Sequence, residues 1–227
     1  MTGRDLLLSV EGLRVSIHTD DGSAEVLDHV DLSIPRGGIV GVVGESGCGK
    51  STLVRAVLGI LPKAARVASG RVVYDGEDLF HMSQRELTRR IRGKEIAFIP
   101  QDPYLALNPL FTVGTQLLEI MRWHGRDGAN GGGGRRAHRA RLIELLRAVQ
   151  IPDPEAALDR YPHQFSGGQR QRLLIAGALL PRPRLVIADE PTSALDVTTQ
   201  LQILRLLRDL ASHFGASVLF VTHDFGV

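Results

Sequence analysis

The sequence predicts an α/β protein built on a mainly parallel sheet, with a block of helices inserted into it. Three observations carry that expectation. Short apolar runs at Ile39–Val43, Leu185–Ala188 and Ser217–Val221 have the length and composition of strands buried in a parallel sheet. Stretches of helical periodicity separate them, the alternation expected of β–α–β units. Between Pro103 and about Leu180 the pattern is helical with no strand signal, which marks the inserted block.

In chain order, residues 6–17 alternate weakly and read as a strand, Asp20-Asp21-Gly22-Ser23 as a turn, and Val26 to Ile34 as a second strand ended by Pro35. Ile39–Val43 reads as a fully buried strand. The glycine-rich turn after it opens a helix from Ser51 to Leu61, stopped by Pro62. Residues 71–79 and 95–99 supply two more strands. The helical stretch 103–180 is broken by Gly125–Gly134, a flexible loop in which six of ten residues are glycine. Leu185–Ala188 is another buried strand, Thr198–His213 an amphipathic helix and Ser217–Val221 the last strand.

Composition removes several classes. The 227 residues are 43% hydrophobic, 23% charged and 5% aromatic, enough apolar content for a packed core and against disorder. The longest apolar runs fall well short of the ~20 residues that span a bilayer. Arg4 and Asp5 are followed by only three leucines, so no secretory leader is expected and the chain reads as soluble. The formal charge is +2, and 24 of the 27 basic residues are arginine. The dense run from Arg135 to Arg141 reads as a solvated helix face, not a nucleic-acid patch. A single cysteine, Cys48, excludes an intrachain disulfide and a cysteine-built zinc site, with the cytoplasm as the default compartment.

Gly44-Glu45-Ser46-Gly47-Cys48-Gly49-Lys50-Ser51 fits G-x-x-x-x-G-K-[ST], and Thr52 follows. It lies between an apolar strand and a helix, the context in which the motif binds nucleotide phosphates. Glycines let backbone N–H groups turn inward around β- and γ-phosphate oxygens. The helix N-terminus adds its dipole, Lys50 a point charge, and the Ser51 hydroxyl a ligand for Mg²⁺. A nucleotide and Mg²⁺ are the expected ligands. The strand Leu185–Ala188 ends in Asp189 and Glu190, two carboxylates at the strand end where open α/β sheets bind ligands. Asp189 is placed to hold Mg²⁺, and Glu190 to orient and deprotonate an attacking water.

Phe165-Ser166-Gly167-Gly168-Gln169-Arg170-Gln171 lies ahead of these carboxylates and opens an apolar helix that Ser166 can cap. Gln101 follows an apolar strand, and Ser193-Ala194-Leu195-Asp196 and Thr222-His223 complete the series. With the phosphate loop these landmarks resemble the ATP-binding cassette (ABC) ATPases, in the family's order and over essentially the whole chain. The segment Gln101-Asp102-Pro103-Tyr104-Leu105-Ala106-Leu107-Asn108-Pro109 is similar to that of oligopeptide, dipeptide and nickel importer ATPases, as are Tyr161-Pro162-His163-Gln164 and Asp196-Val197-Thr198 with Gln200. Gln169 stands where many of that subgroup have methionine.

The resemblance implies a phosphate-loop NTPase fold with an N-terminal antiparallel β part. It implies one nucleotide-binding domain over 1–227, with 103–180 as the helical subdomain and the end of the domain missing, since relatives continue well beyond His223. It implies that Gln101 contacts Mg²⁺ or the attacking water and links the nucleotide to a membrane subunit, and that His223 steadies the γ-phosphate. Ser166, Gly167, Gly168 and Gln169 would bind nucleotide held by a second ATPase subunit, with Asp196 supporting that interface. Two permease subunits and, indirectly, an extracytoplasmic solute-binding protein complete the expected partners, at the cytoplasmic face of the membrane and without nucleic acid.

Besides the expected missing end of the domain, a second feature departs from the pattern. No Phe, Tyr or Trp precedes Tyr74, so the aromatic residue on which cassettes commonly stack adenine is missing, and Ile17 or His18 occupies its neighbourhood. The leading functional expectation is an ATPase energising an importer of peptides or nickel. The alternatives are a cassette acting on nucleic acid or ribosomes, disfavoured because 101–166 holds no sustained heptad, and a nucleotide-binding fragment without turnover.

Overall fold

The computed structural model describes residues 5–20, 22–124, 134–193 and 195–223. β1 (Leu6–Thr19) and β2 (Gly22–Pro35) form a long antiparallel hairpin, and β3 (Ile39–Val43) leads through the glycine-rich loop into α1 (Lys50–Leu58). β4 (Ala65–Tyr74) returns to pair antiparallel with β1 and turns into the short β5 (Glu77–Asp78). An irregular helical segment over 79–91, containing α2 (Gln84–Glu86), precedes β6 (Ile96–Ile99). The inserted block comprises α3 (Val113–His124), α4 (Gly134–Ala148), the single turn α5 (Pro154–Ala157) and α6 (Gly167–Leu179). β7 (Leu185–Asp189), α7 (Val197–Phe214) and β8 (Ser217–Thr222) follow.

Two four-stranded sheets result. The antiparallel one has the order β2-β1-β4-β5, and the parallel one the order β3-β8-β7-β6. β7 and β8 lie in the middle of the parallel sheet, which explains their unbroken apolar runs. Side chains alternate across a strand, so Leu185, Ile187, Leu219 and Val221 join a core around α1 and the antiparallel sheet. Val186, Ala188, Val218 and Phe220 join a second core with Leu142, Leu146, Leu173, Ile175, Ile203 and Leu207 from the helices.

Several expectations are corrected. Among the described residues β3 is an edge strand that pairs only with β8, so Ile39 and Val43 remain 50% and 45% exposed instead of fully buried. The helix after the phosphate loop ends at Leu58, because Gly59 takes a left-handed conformation (φ 65°) and its N–H closes onto Ala56 and Arg55 carbonyls. Pro62 comes too late to stop it. The strand expected over 71–79 begins at Ala65 and ends at Tyr74, turned by Asp75 and Gly76 at positive φ. The second strand starts at Gly22 rather than Val26, so Gly22 and Ser23 belong to it. The short helical elements over 79–91 were not anticipated. Residues 103–112 are not helical; Asp102 and Asn108 bond the N–H groups of Tyr104 and Leu110 and hold the backbone in turns. Of the glycine-rich loop, 125–133 lies outside the described residues and Gly134 begins α4, while Asp21 and Ala194 also lie outside them. On α4, Arg135, Arg136 and Arg139 are exposed, as expected of a solvated face, whereas Arg141 donates to the Leu180 carbonyl.

Candidate nucleotide-binding site

The loop 44–49 begins on the neighbouring strand, where the Gly44 N–H donates to the Thr222 carbonyl at 3.3 Å. Gly47 and Gly49 take φ values of 84° and 98°, the positive-φ backbone on which anion-binding turns are built, with the intervening Cys48 N–H donating to the Glu45 carbonyl at 3.3 Å. At Gly49 a side chain is also excluded by space: a Cβ would stand 2.8 Å from the Val26 carbonyl oxygen of β2. No side chain caps α1, so its first N–H groups face the same concavity as the loop. Lys50 is only 7% exposed, and its ammonium donates to the carbonyls of Gly44 and Glu45 at 2.7 Å each, 3.8 Å from Cys48 Sγ. The ammonium is thereby held among loop carbonyl oxygens at the mouth of the loop, a cation placed to meet an anion there.

Ser51, on the first turn of α1, shares a cleft with Asp189 at the end of β7, and its hydroxyl favours the charged form of that carboxylate. Burial pushes the Asp189 carboxyl above its ordinary value; the Ser51 hydroxyl, Lys50 and Arg55 oppose the shift and the Glu190 charge adds to it. Its Oδ1 is buried without a hydrogen-bond partner. A desolvated carboxylate oxygen next to a hydroxyl is a donor set that fits Mg²⁺, a hard cation that prefers oxygen and takes few protein ligands. Among the described residues no three His, Cys, Asp or Glu side chains gather to hold a metal unaided, so such an ion would draw further ligands from phosphate and water. Ser51, Gln101 and Asp189 line one cleft.

Glu190 sits in the left-handed region at φ 47°, a conformation costing roughly 1–2 kcal/mol for a residue with a side chain. Its N–H donates to the Val221 carbonyl at 2.8 Å, and its own carbonyl accepts from Ser193 N and Oγ at 3.2 and 3.1 Å. These bonds sustain the strain, which re-aims the carboxylate relative to the strand's alternation. Oε2 accepts from Gln101 Nε2 at 2.8 Å, and Oε1 lies 3.1 Å from His223 Nδ1. Gln101, Glu190 and His223 follow β6, β7 and β8, which are adjacent in the sheet, and therefore emerge side by side at its carboxyl end.

The remaining expected residues form a separate face. Ser166 caps α6 by accepting from Gln169 N at 3.3 Å, and Gln169 Oε1 accepts from Ser166 N at 3.0 Å in return. Asp196 caps α7, its carboxylate accepting from Thr199 N at 3.0 Å and Thr199 Oγ1 at 2.7 Å. Ser166, Gly167, Gly168, Gln169 and Asp196 line a cleft that includes no residue of the phosphate loop. The structure thus brings the expected residues together as two faces, not one. It also adds contacts that the motifs did not reveal: the Tyr104 ring lies under Arg170 beside Gly167, and Val26 and Leu27 close the back of the phosphate loop.

The ABC transporter family model matches residues 27–193. The chain is 45% identical over 224 residues to a probable peptide ABC transporter ATP-binding protein, y4tR, of Sinorhizobium fredii, covering 98% of this chain and 65% of that protein. It is 43% identical over 223 residues to the dipeptide transport ATP-binding protein DppD of Escherichia coli, covering 97% of this chain and 65% of that one. The chain therefore spans 65% of the length of these two curated relatives. A solved dimeric ATP-binding cassette, in a post-hydrolysis state with ADP and Pi, superposes with a TM-score of 0.81 at 31% identity, over 96% of this chain and 89% of that one.

Proposed function

Because this chain belongs to the ABC transporter family, we propose that it is the ATP-binding and ATP-hydrolysing part of an importer for peptides or, in the same subgroup, nickel. The observation that carries the hydrolytic reading is the Glu190 carboxylate, held between Gln101 and His223 beside the Ser51–Asp189 pair. The names of the peptide and dipeptide relatives favour peptides as the solute.

In this reading the N–H groups of 44–52 and the Lys50 ammonium bind the β- and γ-phosphates. Ser51, Asp189 and Gln101 would hold Mg²⁺, which when bound neutralises phosphate charge. Gln101 orients a water, Glu190 accepts its proton, and His223 in its protonated form, engaged through Nδ1, would donate from Nε2 to a γ-phosphate oxygen. The separation of Ser166–Gln169 from the phosphate loop supports a head-to-tail dimer, in which each nucleotide is completed by the partner's signature turn, with Asp196 and α7 beside it. The helical subdomain 103–180 carries that turn within one nucleotide-binding domain.

A permease pair is the proposed membrane partner, with a solute-binding protein acting through it. Leu105, Leu110 and Phe111, 85%, 79% and 53% exposed just after Gln101, suit such a docking surface. No helix among the described residues is long and apolar enough to cross a membrane, and the proposed place of the chain is peripheral, at the cytoplasmic face, through the permease. The test is phosphate release from Mg-ATP by the chain, alone and with its permease, with Lys50→Ala as the control. Hydrolysis lost in that variant is expected; bound Mg-ATP that is never cleaved overturns the reading.

A further inference from the structure

Gln101 and Tyr104 lie on one short loop yet engage different faces of the molecule. Gln101 donates to Glu190, while Tyr104 reaches the start of α6. The Arg170 guanidinium carbon stands 4.3 Å from the centre of the Tyr104 ring, within cation–π range. A Cβ at Gly167 would meet the Tyr104 hydroxyl at 3.0 Å, so the ring packs directly on that glycine. Arg170 also donates through Nε to the Phe165 carbonyl at 3.1 Å, fixing the residue before Ser166. Arg160 lies 4.4 Å over the Phe165 ring and donates to the Gln164 carbonyl. Two arginines therefore clamp the turn that aims the first N–H groups of α6, and one of them is seated on a side chain of the Gln101 loop. Asp102 Oδ1 accepts from Tyr104 N at 2.7 Å, making the link between the two ends of that loop short and stiff.

We infer that Tyr104 is a positioning residue: through Arg170 it holds the Ser166–Gly168 turn in register with the loop that carries Gln101. The consequence is a direct tie between this chain's own hydrolytic carboxylate and the face it offers to the partner's nucleotide, and this consequence rests on the function proposed above. The Tyr104 ring is 53% exposed, so its removal takes little from the core.

The test compares Tyr104→Ala, Tyr104→Phe, Arg170→Ala and the double alanine variant. Amide hydrogen exchange over 164–171, followed without nucleotide, should quicken several-fold in Tyr104→Ala and stay at the wild-type rate in Tyr104→Phe, which keeps the ring under Arg170. In steady-state hydrolysis Tyr104→Ala should lower kcat about tenfold, with KM for ATP within about twofold, because the phosphate loop is untouched. Tyr104→Phe should restore kcat, and the double variant should be no slower than the slower single one, as for two parts of one contact. Unchanged exchange in Tyr104→Ala, a phenylalanine variant no better than alanine, or losses that multiply in the double variant would overturn the inference. Exchange that responds as stated in a chain that cleaves no ATP upholds the clamp and overturns the hydrolytic reading alone.

Discussion

Glu190 Oε1 lies 3.1 Å from His223 Nδ1, joining the ends of β7 and β8 across a backbone strained at Glu190. The Glu190 side chain is 15% exposed but that of His223 is 51% exposed and Gln101 lies at the surface, so water partly screens both contacts. Replacing the carboxylate by an amide keeps the size and the hydrogen-bonding reach but removes the proton acceptor. Glu190→Gln should therefore bind Mg-ATP within a few-fold of wild type while kcat falls by about 10²–10⁴. Single-turnover hydrolysis beside a binding titration checks this, and wild-type turnover in the variant would remove Glu190 from the mechanism.

Asp189 gives a pH prediction with a definite sign. Burial raises its folded pKa, so the folded chain holds the proton more tightly than the unfolded one. The penalty sets in as pH rises above about 4 and is complete only above the folded pKa. Asp189→Asn should raise Tm at pH 7 without nucleotide, by ~2–4 °C if the relief is ~1 kcal/mol, and the gain should shrink toward pH 4. The same variant should lose the extra stabilisation that Mg²⁺ adds to bound nucleotide. Thermal melts with and without Mg²⁺ measure both, and a lower Tm at pH 7 contradicts the argument.

Cys48 offers a chemical probe of the phosphate loop. It is exposed, its sulfur lies 2.9 Å from where a Gly44 Cβ would stand, and Lys50 Nζ is 3.8 Å away. A maleimide attached there fills the concavity. N-ethylmaleimide should abolish nucleotide binding, Mg-ATP should slow the labelling, and Cys48→Ser should be resistant. Mass spectrometry showing stoichiometric labelling with ATP affinity intact would refute the placement.

Asp75 ties the two sheets at their margin. It accepts from Arg184, just before β7, and from Arg36, between β2 and β3, and these bonds lower its carboxyl pKa. A lowered folded pKa contributes stability that is present above about pH 4 and lost as pH falls through the folded value. The side chain is 37% exposed, so the contribution is modest, about 0.5–1 kcal/mol, and weaker in high salt. Asp75→Asn should lower Tm at pH 7, and the difference from wild type should close as pH is taken below 4. A difference that persists undiminished at pH 3 would assign the loss to something other than charge.

The two central strands and the phosphate loop were legible because their signals are local. β7 and β8 are apolar on both faces, and the loop's glycines and lysine act through contiguous backbone. Other elements were hidden for equally physical reasons. The first half of β4 is exposed and carries the polar Arg66 and Ser69, so no alternation marks it. Leu105, Leu107, Leu110 and Phe111 imitate helical spacing over a stretch whose backbone is held in turns by Asp102 and Asn108. The apolar β3 gave no sign that one of its faces would stay open, because edge or centre is a property of neighbours.

The sequence by itself determined the class of fold, the anion nest at 44–52, the acidic pair at the end of β7 and the family, since each is written in residues close together in the chain. Only the tertiary structure decided that Gln101, Glu190 and His223 form one cluster while Ser166–Gln169 and Asp196 face elsewhere. It alone placed Tyr104 under Arg170 and let β2 close behind Gly49. Those relations depend on strand order and on which loops meet at the carboxyl end of the sheet, and chain separation carries no record of either.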